Sequence, residues 1–148
     1  MRPKILLISL LAIFSISLNA QPLNWSEDSP DGWAPLVITP DFNVFSEGEK
    51  SAKIIFNETG TPYFVSDKFN VTSGTDFNFS IDILDNDPGA ELNLRVRFLD
   101  ASDAGTWVTS GEYSTDSPNF ETYTLTGTAP ADAVKAYVVI RIYDVADN

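Results

Sequence analysis

The sequence has 148 residues and a net charge of −12 at pH 7, and it contains neither cysteine nor histidine. The lack of cysteine excludes disulfides, thiol chemistry and a lipid anchor on cysteine, and the lack of histidine removes the usual catalytic base near neutral pH. The acidic balance disfavours nucleic acid and anionic membranes as partners, so we expect no nucleic-acid binding and no membrane insertion.

The first twenty residues have the features of a cleavable signal peptide. Arg2 and Lys4 precede an unbroken apolar stretch of 14 residues, and the small residue Ala20 suits the position before a cut. The stretch is shorter than the roughly 20 residues of a membrane-spanning helix. We therefore predict a leader over 1–20, secretion, and one domain over 21–148. The seven Lys and Arg of that domain face 21 Asp and Glu, a net charge of −14.

Short runs of alternating apolar and polar residues follow the leader, with the period that is typical of half-buried strands. The alternation is clearest at 77–83, 92–98 and 134–142, and each run presents one apolar face. Turn-forming residues such as Thr72 to Thr75 and Asp103 to Gly105 separate the runs. Weaker strand candidates are 35–38, 51–57, 62–71, 106–109 and 121–126. About eight strands without an amphipathic helix predict an all-β protein, an antiparallel sandwich or barrel.

Several motifs stand in an order known from one group of proteins. They are a turn over Pro30 to Trp33, the segment Glu49 to Ile54, the alternating runs at 77–83 and 92–100, the segment 123–133 and the final alternating strand. From Trp33 to Tyr143 the chain resembles the jelly-roll carbohydrate-binding modules grouped around families four, nine and twenty-two. The resemblance implies a two-sheet jelly-roll β-sandwich of about eight strands and polysaccharide as its partner.

The resemblance also implies two features at the ends of the module. Such modules close with a further strand, which the pattern lacks after Asp144, so we interpret the sequence as the front part of a longer secreted protein. They commonly hold a structural calcium ion through a Glu near the first strand, and Glu27 is the nearest match. Asp85, Asp87 and Glu91 also crowd one turn that could supply oxygen ligands. The alternative is that this turn is merely solvated and holds no metal.

The expected strand order places possible ligand-binding residues on one face. In an eight-stranded jelly roll the fourth strand pairs with the fifth and seventh, which sets 91–99 beside both 106–109 and 134–143. The predicted carbohydrate-binding residues are Asn93, Arg95, Arg97, Trp107, Tyr137, Arg141 and Tyr143, with Asn93 and Trp107 at the rim. Flat rings suit the apolar faces of sugars, and the polar groups suit hydroxyls or, through Arg, carboxylated sugars. The alternative is that the arginines pair with carboxylates across the sheet and the tyrosines cover it.

Catalysis has little support in the sequence. Serine lacks its usual histidine partner, and no strand carries the alternating acids of jelly-roll glucanases, although a lyase that uses Tyr and Arg stays open. We therefore predict a monomeric, noncatalytic, secreted module that binds polysaccharide on the concave face of a β-sandwich, attached to a carbohydrate-active enzyme in a longer chain. The alternative is a structural spacer or adhesion domain of a larger secreted protein without a sugar site.

Overall fold

The computed structural model describes residues 4–9, 25–27, 37–44, 46, 51–56, 63–86, 89–111 and 114–144. These residues form strands and turns, and none of them belongs to a helix that is long and apolar enough to cross a membrane. The strands in this part of the chain are β1 (Lys4–Ser9), β2 (Trp25–Glu27), β3 (Val37–Asp41), β4 (Ser51–Phe56), β5 (Tyr63–Ser66), β6 (Phe69–Asn70), β7 (Asp76–Asp85), β8 (Ala90–Leu99), β9 (Gly105–Thr109), β10 (Glu121–Thr128) and β11 (Lys135–Asp144).

The strands form two antiparallel sheets. The five-stranded sheet has the order β10-β7-β1-β4-β3. The six-stranded sheet has the order β2-β5-β11-β8-β9, and β6 also pairs with β11. The predicted all-β, antiparallel, two-sheet architecture is therefore confirmed.

The hydrophobic core lies between the two sheets and is built from one face of each long strand. Alternate residues of β7, namely Phe77, Phe79, Ile81 and Ile83, are buried, as are alternate residues of β8 and β11. Phe77 and Phe98 join the two sheets, with ring centroids 5.2 Å apart and planes tilted by 57°. Because each buried Ile, Leu or Phe side chain contributes about 1.5–3 kcal/mol, this shared layer supplies the main favourable term for the sandwich.

All eight predicted strands are found, and the differences lie at their ends and at one break. The predicted strand 62–71 is two strands, β5 and β6, separated at Asp67 and Lys68. The N–H of Val138 in β11 donates to the hydroxyl of Ser66 at 2.9 Å, where a backbone carbonyl would accept in an unbroken ladder. The hydroxyl therefore satisfies this donor at the break, and the break opens the sheet beside β11.

Serine hydroxyls play the same role where β9 ends. The N–H groups of Leu92 and Leu94 in β8 donate to the hydroxyls of Ser114 and Ser110, at 2.8 and 3.1 Å. The same serines return their own N–H groups to the carbonyls of Leu92 and Leu94, at 2.8 Å each. The chain thus leaves the sheet after Thr109 while the edge of β8 stays hydrogen-bonded, since buried backbone groups need a partner.

Two strands were not predicted, and one of them lies inside the predicted leader. Strand β1 occupies the centre of the five-stranded sheet, where Leu6 pairs with Ile54 of β4 and with Asp85 of β7. Cleavage of a leader over 1–20 stays a prediction, as does the single domain over 21–148. The Pro30 to Trp33 turn lies outside the described residues.

Candidate functional site

The predicted neighbours of β8 are confirmed, and they bring long polar and aromatic side chains to one face. Arg97 stands between Tyr137 of β11 and Trp107 of β9, and Arg141 stands between Asn93 of β8 and Tyr63 of β5. Because side chains alternate along a strand, these residues point away from the core that their neighbours line. We call this surface the arginine–aromatic face and define it by Tyr63, Arg95, Arg97, Trp107, Tyr137, Arg141 and Tyr143.

At one end of this face, Arg97 lies between two aromatic rings. Its guanidinium carbon is 5.2 Å from the centre of the Trp107 ring, and its Nη1 donates to the hydroxyl of Tyr137 at 3.4 Å. The two rings meet edge to face, with centroids 6.0 Å apart and planes at 79°. Trp107 is 41% exposed on the edge strand β9, so its ring remains available to a ligand.

At the other end, two more arginines alternate with tyrosines. Arg95 donates from Nη2 to the hydroxyl of Tyr143 at 2.6 Å. The guanidinium of Arg141 lies 4.6 Å from the centre of the Tyr143 ring and 5.4 Å from that of Tyr63. The arginines and rings therefore form two groups on one face across four strands, and cation–π contacts and hydrogen bonds to phenol oxygens hold each group together.

The arginines of the face keep their charge without a carboxylate partner. Arg95, Arg97 and Arg141 form no ion pair within the described part of the chain, so the cross-sheet pairs of the alternative interpretation are not found there. The Nε atoms of Arg97 and Arg141 are buried and have no hydrogen-bond partner among the described residues. A buried donor without an acceptor costs about 1–3 kcal/mol, so these two Nε atoms are an energetic cost of the arrangement.

A cleft of about 250 Å³ opens beside Tyr137. It lies where β11 loses its neighbour at the break between β5 and β6, so the break in the sheet forms one side of it. The cleft has apolar, polar and charged lining residues, namely Val65, Ser66, Lys68, Arg97, Leu99, Asp103 and Tyr137. It extends the arginine–aromatic face by one cation, Lys68.

The position of Arg97 depends on Gly105 at the start of β9. Gly105 pairs with Leu99, and a Cβ atom at this position would lie 2.5 Å from Nε of Arg97 and 2.9 Å from Cδ2 of Leu99. Glycine therefore lets the arginine stem lie flat over the backbone of β9. Any larger residue at this position displaces Arg97 from its place beside Trp107.

One predicted site residue has a different place from the one expected. Asn93 was predicted at the rim, but it is only 2% exposed and lies beneath the guanidinium layer. Its Oδ1 accepts from Nε of Arg95 at 3.1 Å. The large side chains beside it cover the amide, so Asn93 positions Arg95 instead of meeting solvent.

Other members of the site escaped the sequence analysis. Tyr63 and Val65 lie on the face because β5 pairs with β11, and the register of that pairing has no signal in the sequence. Val139 lies at the centre of the face and is 1% exposed although it points away from the core. Lys68 reaches the cleft only because the strand breaks before it. The sequence offers one signal for these missed residues: Val139 is an apolar residue at an outward-facing position of β11.

The described residues contain no cluster of side chains that fits the predicted calcium site. Within those ranges, no group of three or more Asp, Glu, His or Cys side chains is placed to hold a metal ion. Asp85 is 1% exposed and accepts from the hydroxyl of Ser114, so it is not part of a solvated turn. Glu27 lies in β2, opposite Phe64, and Asp87 lies outside the described residues. Calcium binding through Glu27 stays a prediction.

Comparison with known proteins gives matches of structure and none of sequence. No family model and no curated protein matches the chain. One similar structure is the CBM22-1–GH10 part of Clostridium thermocellum endo-1,4-β-D-xylanase 10B with xylohexaose, at 16% identity and a TM-score of 0.60. Another is the C-terminal family 22 carbohydrate-binding module of the same xylanase, at 14% identity and a TM-score of 0.59. A third is a xylan-binding domain of family 22, at 13% identity and a TM-score of 0.55.

The three matches cover most of this chain but different fractions of the matched structures. The match covers 83% of this chain but 24% of the first structure, which also holds a GH10 module. It covers 81% of this chain in the other two, and 76% and 77% of those chains. The fold is the jelly roll of family 22 carbohydrate-binding modules. The predicted jelly roll is thereby confirmed, while the likeness to families four and nine stays a prediction.

Proposed function

We propose that the chain is a secreted, monomeric, noncatalytic module that binds a polysaccharide through the arginine–aromatic face. The observation that carries this proposal is the array of rings and guanidinium groups on the outer face of the six-stranded sheet. Trp107 is exposed at its edge, and no described carboxylate neutralises its arginines. A spacer domain has no need of a Trp exposed at its edge or of arginines without a carboxylate partner.

The chemistry of the face suits a sugar chain. Aromatic rings pack against the apolar faces of sugar rings, and guanidinium and phenol groups donate hydrogen bonds to hydroxyls. The face runs across β5, β11, β8 and β9, four strands about 4.8 Å apart, so it offers contacts over about 15 Å, the length of a few sugar units. The likeness in fold to a xylan-binding domain supports xylan and xylohexaose as the first ligands to test.

Two carboxylates at opposite ends of β8 are too far apart to act as a catalytic pair. Glu91 lies near the start of β8, and Asp103 lies in the turn after its end. At ~3.3 Å per residue, the two positions are about 25 Å or more apart, whereas the paired acids of glycosidases lie roughly 5–9.5 Å apart. The chain has no histidine or cysteine that could replace such a pair.

Affinity electrophoresis of the folded protein in gels containing xylan or other polysaccharides tests the proposal. The double variant Tyr137→Ala/Arg141→Ala removes one ring and one guanidinium group from the face, and we expect it to abolish retention. Thr124→Ala, on the outer face of the five-stranded sheet, is the control and should be retained like the parent. Circular dichroism shows whether each variant is folded.

The same experiment decides for or against the spacer. The observation in favour of a spacer is that the phenol oxygens of Tyr137 and Tyr143 are already used by arginines. A folded protein that is retained by no polysaccharide would establish the spacer role. Equal retention of the parent and the double variant would show binding at another surface.

A further inference from the structure

We infer that the polysaccharide is acidic and that Arg95, Arg97 and Arg141 bind its carboxylate groups. The inference rests on the proposed function and names the ligand class of the same site. Its starting point is the distribution of arginine: beyond Arg2, every arginine of the chain lies on the arginine–aromatic face. Three arginines therefore share one face of the neighbouring strands β8 and β11, in a chain with a net charge of −12.

The contacts of these arginines leave their charge available. Arg95 and Arg97 donate to neutral phenol oxygens, and Arg97 and Arg141 stack on rings. None of these partners carries a negative charge, and no ion pair to the three arginines occurs within the described ranges. Like charges on adjacent strands repel each other. A bound anion would relieve that repulsion, whereas a neutral sugar would not.

The geometry of arginine favours a carboxylate over a hydroxyl as its ligand. A guanidinium group presents parallel N–H donors that match the two oxygens of a carboxylate, and it does so on a side chain that is always charged. Each of two tyrosine hydroxyls accepts from one guanidinium group, that of Tyr143 from Arg95 at 2.6 Å and that of Tyr137 from Arg97 at the longer distance of 3.4 Å. Arginines that are held in place lose little freedom when a ligand binds.

The cleft beside Tyr137 adds a fourth cation to this surface. Lys68 lines the cleft together with Arg97, and the single carboxylate among its lining residues is Asp103. The cleft is therefore positive on balance at the end of the face where Trp107 offers a flat ring. A uronate unit stacked against the ring would have its carboxylate within the region of Arg97.

The test compares one polymer before and after its charge is removed. The full chain, as the expression host processes it, is titrated by isothermal calorimetry with polygalacturonate and with the carboxyl-reduced form of the same polymer. Dextran sulfate and unsubstituted xylan serve as the sulfated and neutral arms. We expect the affinity for polygalacturonate to be at least tenfold higher than that for the reduced polymer.

Two variants with the same charge change locate the effect. Arg97→Gln removes a guanidinium group from the face, and we expect about tenfold weaker binding of polygalacturonate and a smaller loss of affinity for xylan. Lys53→Gln removes a charge from β4 of the five-stranded sheet and should leave both affinities unchanged. Equal weakening by both variants would show unspecific charge attraction and would overturn the inference.

The remaining outcomes separate this inference from the proposed function. Equal affinities for polygalacturonate and its reduced form would overturn the acidic ligand and leave polysaccharide binding intact. Binding of dextran sulfate without binding of polygalacturonate would overturn the carboxylate assignment in favour of a sulfated glycan. A folded protein that binds none of the four polymers would overturn the proposed function as well.

Discussion

The two outer faces of the sandwich are built on similar strands but carry opposite chemistry. On the five-stranded sheet, short polar side chains pair across β7 and β10. The hydroxyls of Thr128 and Thr122 donate to Asp76 and Asp82 at 2.7 Å, and the hydroxyls of Ser80 and Thr124 lie 3.3 Å apart. On the six-stranded sheet, arginines and aromatic rings pack over one another, and their charges find no opposite partner in the described residues.

One of the two faces therefore contributes mainly to the stability of the fold, and the other is available to a ligand. Cross-strand hydroxyl and carboxylate pairs satisfy each other, and each contributes about 0.2–1 kcal/mol to the sheet. Such a face is complete without a ligand. The arginine–aromatic face has charge and donors left over, which a domain without a partner would gain nothing from.

We expect the greatest loss of stability from a substitution at Val139, beneath the arginine–aromatic face. Val139 is buried on the outer side of β11, so Val139→Ala should remove two methyl groups from a packed layer and lower the free energy of unfolding by roughly 2 kcal/mol. Ser80→Ala, in the equivalent outward position of β7, should change it by less than about 0.5 kcal/mol. Urea unfolding measures both values, and equal effects would show that the two faces are packed alike.

The next effect concerns the exposed ring at the edge of the six-stranded sheet. Trp107→Ala should weaken polysaccharide binding about tenfold, which corresponds to ~1.4 kcal/mol, because it removes the ring on which Arg97 lies. Thr126→Ala on the opposite edge strand β10 should have no effect on affinity. Calorimetric titration separates the two outcomes, and an unchanged affinity for Trp107→Ala would exclude this ring from the ligand site.

A smaller effect is expected from the glycine under Arg97. Gly105→Ala places a methyl group 2.5 Å from Nε of Arg97, so the side chain must move away from Trp107. We expect binding to weaken several-fold, and some loss of stability as well, because the added methyl group also meets the buried Leu99 side chain at 2.9 Å and the Phe98 carbonyl oxygen at 3.1 Å. Gly111→Ala is the matched control, since the added methyl group would meet no neighbouring atom within 4 Å. A loss of stability without a loss of affinity would contradict a positioning role for Gly105.

The smallest effect depends on pH and concerns the turn between β8 and β9. Hydrogen bonds from the hydroxyl and N–H of Ser102, and from the N–H of Ala104, hold the pKa of Asp100 below its usual value of 3.8. A lowered pKa means that this carboxylate stabilises the folded state above pH 3.8, and that the contribution disappears as the pH falls through the lower, folded-state value.

Asp100→Asn should therefore lower the melting temperature slightly at pH 7, and by less at about pH 2.5, where protonation has removed part of the charge. The amide oxygen of Asn still accepts hydrogen bonds but carries no charge. The parent is therefore more stable than the variant only while Asp100 is ionised. Thermal unfolding at the two pH values measures the difference. A melting-temperature difference that is equal at both values would show that the charge of Asp100 has no part in the turn.

The strands could be predicted because their period is carried by many residues. In β7, β8 and β11 every second side chain is buried, so a slip of one residue would expose the whole apolar set. The turn at Thr72 to Thr75 was predicted from its composition, and Gly74 there has a φ of +71°, which suits glycine. The pairing of β8 with β11 and β9 followed from the expected jelly roll.

The sequence predicts the site less completely than the strands, because single contacts determine where each site residue lies. Asn93 and its neighbours Arg95 and Arg97 alternate as three outward polar residues, yet only the longer arginine side chains reach the surface. The break after Ser66 depends on one hydroxyl that replaces a backbone acceptor. Neither feature changes the period of hydrophobicity, so neither could be found from it. Strand β1 likewise falls at the start of the apolar run from Ile5 to Leu18, which has no strand period and predicts a leader.

Strand β1 gives the first nine residues an influence on how the protein associates with itself. It lies between β4 and β7 and pairs with both, so its removal exposes two backbone edges at the middle of a sheet. Exposed edges of that kind recruit strands from other molecules. If the predicted cut after Ala20 takes place, the proposed monomer requires that β4 and β7 close on each other, because a gap between them would leave two adhesive edges.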